Sequence, residues 1–228
     1  MTTNPKAPQA VGTLASAAYG RLRQEIIRGT YKAGERLHIG RLCTALDVGL
    51  SPVREALNRL STEGLVQQFD QRGFRVAPLD IEDLADLTQA RCWINETAIP
   101  AALAAGDQAW EESVVVALYR LKRAPHAIAD EIGQRSPEWE AAHRDFHRIL
   151  IAACGSRRWL NLWEELFDAA ERYRFTSRLA ATQQRPDMAE HEAIVQAVLA
   201  RDSPNAVALL NAHVRRTETL FRERLAHE

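Results

Sequence analysis

Apolar residues recur at helical spacing along the first third of the chain, and turn residues separate the runs. A stripe with one apolar residue about every four positions predicts an amphipathic helix over 13–28, which Gly29 ends. A shorter run predicts a second helix over 39–46. The third helix is expected to begin at Ser51-Pro52, because serine caps helices and proline fits the first helical position.

After the third helix the pattern changes to short apolar runs on either side of a turn. Residues 65–69 and 74–76 are separated by DQRG at 70–73, which is typical of a hairpin. Three short helices followed by a two-stranded hairpin predict a winged helix-turn-helix domain over 13–78. The segment 1–12 is polar and contains proline, and it is expected to be a disordered tail.

Beyond this domain every segment has helical spacing, which predicts an all-α helical bundle over 79–228. A long stretch over 81–105 contains Pro100, which is expected to kink or break the helix. Later helices are expected to begin at Asp107, Ser136-Pro137, residue 157, Pro186 and Ser203-Pro204. The one that begins at residue 157 is expected to run as a single helix to residue 180. The fold class is therefore mainly α, with an N-terminal winged helix-turn-helix and a C-terminal helical bundle.

Composition adds a charge asymmetry to this picture. The 228 residues are 46% hydrophobic and 26% charged, which suits two modest globular domains. No apolar run approaches the roughly 18 residues of a membrane span, and three widely spaced cysteines indicate reduced thiols, so a cytoplasmic protein without a membrane partner is expected. Residues 1–78 carry 11 Lys+Arg and 6 Asp+Glu (+5), whereas residues 79–228 carry 18 and 24 (−6). A basic first domain suits a polyphosphate partner.

The third predicted helix carries side chains suited to reading DNA. In a helix-turn-helix the second helix of the pair enters the major groove. Arg54 and Asn58 lie four apart on the face opposite the apolar stripe, and these residue types pair with guanine and adenine respectively. One such arginine also fits a merely solvated helix face, but the basic set favours contact with double-stranded DNA. The candidate contacts on this helix and on the hairpin are Ser51, Arg54, Asn58, Arg59, Arg72 and Arg75.

Three runs in the first domain are specific: AGERL at 33–37, SPVREAL at 51–57 and EGLV at 63–66. On these runs the chain resembles the GntR family of bacterial regulators, and the helical remainder resembles the FadR-type effector domain. The resemblance implies a homodimeric transcription regulator, more commonly a repressor, that binds two-fold-symmetric operator DNA. Leu50 stands where family members often have an arginine, so any contact made there is not carried over to this chain.

Four histidines of the predicted bundle have spacings that can converge on one metal. His143 and His147 are four apart and point the same way on a helix, while His191 and His213 lie on two later helices. The resemblance implies the same set, because the family's effector domain carries an Asp and a His four apart and adds a His on each of two later helices. His143 replaces that Asp, and Asp145 points about 200° away from it on the helix.

An all-imidazole set favours zinc, nickel or copper over magnesium, calcium or manganese, so the expected cofactor is a divalent metal ion, with zinc the first choice and nickel the second. Such a site leaves an exchangeable position for a ligand carboxylate or water. The resemblance also implies a pocket arginine, which Arg91 matches, to receive a small-molecule carboxylate effector. The glutamate that usually follows four residues later is Asn95 here, with Glu96 next to it.

Two other functions remain open at this point. The histidines also fit a metal-dependent enzyme, although the chain has no His-Glu-x-x-His run, nucleophile elbow or phosphate loop, and an enzyme leaves the basic domain unexplained. A regulator of this fold that has lost its metal and senses its ligand through Arg91 alone is the third interpretation. The leading interpretation is a regulator, not an enzyme, that responds to a small organic acid in a metal-containing helical pocket.

Overall fold

The computed structural model describes residues 13–69, 73–125, 135–180 and 187–226. The predicted tail over 1–12, the candidate Arg72 and the predicted helix start at Pro186 lie outside the described residues. The chain divides into two compact units, Met1–Pro78 and Leu79–Glu228. The described residues are mainly helical with a small antiparallel sheet, so the predicted fold class is confirmed.

The first unit has the winged helix-turn-helix order that the sequence predicts. Its elements are α1 (Leu14–Ile27), β1 (Arg36–Leu37), α2 (Ile39–Leu46), α3 (Leu50–Thr62), β2 (Val66–Phe69) and β3 (Gly73–Val76). Leu22, Leu57 and Phe74 are buried in one shared core to which the helices and strands contribute. Burying a side chain of this size contributes about 1.5–3 kcal/mol, so the core fixes how α1 and α3 pack.

The sheet of the first unit has one strand more than the predicted hairpin. Among the described residues its order is β1-β3-β2, and both pairings are antiparallel. Leu37 of β1 pairs with Phe74, and the amide of Gly34 donates to the Val76 carbonyl at 3.0 Å. Gly34 has φ +76°, a conformation that glycine adopts without strain. The sequence did not reveal β1, because a two-residue strand is too short for alternation to appear.

The helix α3 begins one residue earlier than predicted. Gly49 is its N-cap and makes no side-chain cap hydrogen bond, so Ser51 lies inside the first turn rather than at the cap. Pro52 is tolerated in that turn, because the first N–H groups of a helix have no intrahelical acceptor. Before it, Asp47 closes α2 in the left-handed conformation, φ 52°, which redirects the chain into α3.

The second unit is helical throughout its described residues. Its elements are α4 (Ile81–Ala105), α5 (Gln108–Arg123), α6 (Pro137–Leu150), a 3₁₀ turn (Ala152–Cys154), α7 (Arg157–Ala169), α8 (Glu171–Ala180), α9 (Asp187–Leu199) and α10 (Ser203–Leu225). The helix α10 packs against α4, α8 and α9, while α5 packs against α6 and α9. Trp110, Trp139, Phe146 and Leu150 belong to the buried core that these helices share.

Polar caps set the helix starts of this unit. Asp107 accepts a hydrogen bond from the amide of Trp110 at 2.9 Å, and Ser136 accepts one from Trp139 at 3.0 Å. Both starts were predicted and are confirmed. Each cap satisfies one amide of the first turn, which contributes about 1 kcal/mol of helix stability.

The structure differs from the sequence prediction in two places in the helical unit. The helix α4 continues through Pro100 to Ala105, so the proline does not break it. A helical proline costs about 3 kcal/mol, and burial of its neighbours Ile99, Ala102 and Leu103 in the core supplies the compensating packing. The stretch predicted as one helix over 157–180 is two helices, α7 and α8, separated at Ala170.

Candidate DNA-contacting face and metal centre

The helix α3 buries one side and exposes the side that carries the candidate base contacts. Val53, Ala56, Leu57 and Leu60 are buried in the core of the first unit. Ser51, Arg54 and Asn58 are exposed on the other side of the helix. The burial of the apolar stripe therefore fixes these polar side chains outward, as recognition of base edges by a helix requires.

The other two described candidates are exposed but also make contacts within the unit. The guanidinium of Arg59 lies 3.9 Å from the centroid of the Tyr19 ring. Burial and the hydrogen bond that Tyr19 donates to Glu63 at 2.6 Å raise the pKa of this tyrosine, so it stays neutral under Arg59. Arg75 donates to the Gly34 carbonyl at 3.2 Å, which holds its stem along the sheet.

Four histidines of the second unit converge on one point. His143 and His147 come from α6, His191 from α9 and His213 from α10, and all four are buried. One nitrogen of each lies within 4.8 Å of a nitrogen of every other. The Nε2 atoms of His143 and His147 are 3.1 Å apart, close to the edge of about 3.3 Å in a tetrahedron with metal–nitrogen distances of about 2.0 Å.

Aromatic side chains enclose the cluster on the side of α6. The ring of Trp139 stacks on His143 with centroids 4.7 Å apart and planes 15° apart, one helical turn before it. Phe146 meets the ring of His191 edge-on at 5.0 Å. These contacts restrict the planes of the His143 and His191 rings.

The cluster favours neutral imidazole rings. Burial lowers the pKa of both His143 and His147 well below the ordinary histidine value, because a charged ring would be desolvated. The neighbouring histidines and the charges of Arg91 and Arg174 lower the pKa of His147 further. Neutral imidazole is the form that binds metals, so these two side chains are in the state that a metal ligand requires.

A bound metal accounts for the buried polar groups of the cluster better than side-chain packing alone does. Among the described residues, Nδ1 of His143 has no hydrogen-bond partner, although its Nε2 faces the cluster. Glu190 lies 2.8 Å from Nδ1 of His213, and with the carboxylate as acceptor the Nε2 lone pair of His213 is left for the cluster. A carboxylate behind a histidine is the usual outer partner of a metal ligand. The four nitrogens therefore fit a zinc-type ion.

Arg91 lies at the border of this cluster. It is buried in α4, and its guanidinium is 5.7 Å from the Phe167 ring centroid. Burial is the main reason that the pKa of His147 is lowered, and the positive charge of Arg91 lowers it further. Asn95, one turn further on, is buried and donates to Asn211 at 3.0 Å, and Asn211 in turn donates to Glu96 at 3.1 Å. A polar network thus occupies the position where the family pattern has a glutamate.

Sequence reasoning missed two neighbours of the cluster and could not place a third, Arg174. Trp139 precedes His143 by four residues, and this spacing was a usable signal. Glu190 is adjacent to His191 in sequence but contacts His213, a pairing that only the packing of α9 on α10 creates. Arg174 is buried, lies 4.0 Å from the centroid of Phe167 and acts on His143 and His147, and no spacing predicted it.

A winged helix-turn-helix joined to a helical unit with a buried histidine cluster defines the class of DNA-binding regulators with a helical second domain. Residues 14–76 match the family described as bacterial regulatory proteins, gntR family. Residues 86–216 match the FCD domain. The chain belongs to the GntR family, in the group that carries an FCD domain, and it is a DNA-binding transcription regulator.

Relatives and solved structures match across both units. The HTH-type transcriptional repressor GlaR of Escherichia coli (strain K12) is 34% identical over 200 residues, covering 86% of this chain and 90% of that protein. The HTH-type transcriptional regulator BphR of Paraburkholderia xenovorans (strain LB400) is 36% identical over 221 residues, covering 93% and 87%. The crystal structure of a GntR transcriptional regulator from Rhodococcus sp. RHA1 has a TM-score of 0.70 at 26% identity, covering 92% and 97%. These matches favour the regulator over the enzyme alternative.

None of the helices in the described parts of the chain is long and apolar enough to cross a membrane.

Proposed function

We propose that this regulator is a homodimeric repressor whose affinity for operator DNA changes when a small organic acid binds beside a metal ion in the helical unit. The observation that carries the proposal is the convergence of four buried imidazoles within 4.8 Å. Burying polar rings together costs desolvation free energy, and a divalent cation bound by their lone pairs offsets that cost.

In this proposal α3 reads the major groove. Arg54 and Asn58 contact base edges, while Ser51 and Arg59 contact the backbone near the start and the side of the helix. Their exposure opposite a buried apolar face supports the assignment. Arg75 and Arg72 of the wing contact an adjacent stretch of backbone, an assignment that for Arg72 rests on sequence alone.

The metal ligands in this proposal are His143, His147, His191 and His213, and zinc is the first choice because the donor set is all nitrogen. Nickel is the second choice. When bound, the metal would supply a Lewis-acidic position for an oxygen atom of the effector, as a fifth ligand beside the four imidazoles. Burial keeps the imidazoles of His143 and His147 neutral, and Glu190 holds the proton on Nδ1 of His213.

The proposed effector is a carboxylate, because a buried arginine, Arg91, lies near the proposed metal ligand His147. Arg91 borders the cluster and can hold a carboxylate through two parallel N–H donors. Its burial excludes water, which strengthens such a pair relative to a surface arginine. Arg91 therefore sets the orientation of the acid.

A relative's name and the size of the first unit support the proposed repression and dimerisation. GlaR, which is 34% identical over 86% of this chain, is named a transcriptional repressor. One recognition helix reads only a few base pairs, so two symmetry-related winged helix-turn-helix domains are needed for useful affinity.

The experiment uses the full chain purified without a histidine tag. We expect about one zinc ion per chain, with His147→Ala and His213→Ala losing metal while keeping operator binding in the absence of acid. His38→Ala is the matched control, since this exposed histidine lies in the first unit. Metal retained in both cluster variants contradicts the proposed site.

The effector assignment has its own test. Binding of small carboxylic acids is measured by calorimetry on the zinc-loaded, metal-free and Arg91→Ala proteins, alongside gel shifts on the chain's own upstream DNA. We expect acid binding to weaken in both altered proteins. An acid that binds tightly in all three forms contradicts the bridging role, and turnover of that acid favours the enzyme alternative.

A further inference from the structure

The helix α5 has an exposed apolar patch in addition to its buried face. Its buried side, formed by Trp110, Val114, Ala117 and Leu121, belongs to the core of the second unit. On the other side, Val115, Val116 and Tyr119 are 46%, 44% and 63% exposed. A helix that is apolar on both faces indicates a second packing partner.

Opposite charges flank this patch at its two ends. Glu112 lies one turn before Val116, and Arg123 lies one turn after Tyr119 on the same stripe. We call the stripe of Glu112, Val115, Val116, Tyr119 and Arg123 the α5 face. It is acidic at one end, apolar in the middle and basic at the other end. The stripe is therefore complementary to the same stripe of a second copy that runs in the opposite direction.

We propose that the α5 face forms an antiparallel helix–helix contact between two copies of this chain. About a two-fold axis, Glu112 of one copy meets Arg123 of the other, and Val116 meets Tyr119. An interface around such an axis must match the same patch to itself, and this stripe meets that condition. The proposal rests on the homodimer of the proposed function and specifies the surface that forms it.

The position of α5 also connects this contact with the histidine cluster. The helix packs directly against α6 and α9, which together carry three of the four histidines. A movement of either helix on effector binding therefore reaches the α5 face through one layer of packed side chains. This position favours α5 over an exposed apolar site elsewhere, such as Leu162 on α7.

The test is a charge reversal followed by its compensation, with the dimer dissociation constant measured by analytical ultracentrifugation of the full chain. Glu112→Arg alone, or Arg123→Glu alone, places like charges at both symmetric ends of the contact. We expect each to raise the dissociation constant about tenfold. The double variant Glu112→Arg/Arg123→Glu restores both pairs and returns the constant to near the native value.

A second variant tests the apolar centre. Val116→Glu places a charge against Tyr119 of the other copy, and we expect it to raise the dissociation constant about a hundredfold or more. Leu162→Glu, at a residue that is 40% exposed on α7, is the matched control and should leave the dimer intact. Circular dichroism and thermal unfolding establish that each variant is folded.

The outcomes distinguish the proposed α5 face from the proposed homodimer. A native dimer weakened by the single reversals and restored by the double variant supports the α5 face. A native dimer that Val116→Glu and the reversals leave unchanged overturns the α5 face but leaves the proposed homodimer. A double variant no tighter than either single one overturns the antiparallel pairing. A native chain that is monomeric at micromolar concentration overturns both the face and the homodimer.

Discussion

Acid should destabilise the metal-free helical unit through His143 and His147. Burial lowers the pKa of both side chains well below the ordinary value of about 6.5. Below that pH the unfolded chain takes up a proton on each histidine that the folded chain does not. Stability therefore falls as the pH drops below about 6.5, and the effect disappears above about pH 7.

The size of the effect follows from proton linkage. Between pH 7 and pH 5.5, one histidine that titrates normally when unfolded and remains neutral when folded costs about 1.25 kcal/mol of unfolding free energy. The two together cost about 2.5 kcal/mol, a large share of the 5–15 kcal/mol that typically stabilises a domain.

The assay is urea unfolding of chelator-treated protein, followed by tryptophan fluorescence. All five tryptophans lie in the second unit, so the signal reports on the helices that carry the histidines. The control is the double variant His143→Leu/His147→Leu, which retains apolar packing beside Trp139 but cannot titrate. We expect the variant to lose most of the pH-dependent drop. An equal drop in both proteins, or none in the native one, would refute the reasoning.

Four further outcomes are expected. Arg54→Ala should weaken operator binding by about 1–3 kcal/mol and relax base preference in gel shifts, whereas Arg157→Ala in the second unit should change neither; unchanged selectivity in the first variant contradicts its base contact. Nonspecific DNA affinity should fall steeply between low and moderate salt, and a flat titration counts against phosphate contacts by the wing and α3. Chelation should lower the melting temperature reported by tryptophan, because the metal binds only the folded unit, and an unchanged melting point argues against a bound metal. Glu190→Gln should weaken zinc affinity about 10–100-fold in a competition titration while Glu192→Gln does not, and equal effects would remove the special role of Glu190.

Local features of the chain were determined by its sequence. Helical periodicity sets which side of α3 is buried, so the outward direction of Arg54 and Asn58 could be predicted from the spacing of Val53 and Leu57. The spacing of His143 and His147 likewise fixes their shared direction on α6. Capping chemistry at Asp107 set a helix boundary correctly, because a cap acts on amides only three residues away.

The tertiary structure decided everything that depends on which helices lie opposite each other. Periodicity gives a direction around one helix axis, but only the packing of α9 against α10 places Glu190 behind His213 rather than behind its sequence neighbour His191. Strand β1 forms because the edge of β3 supplies backbone hydrogen-bond partners for it. The core keeps α4 helical through Pro100, although a proline inside a helix is locally unfavourable. Sequence supplied the ligand types, and long-range packing supplied the distances between them.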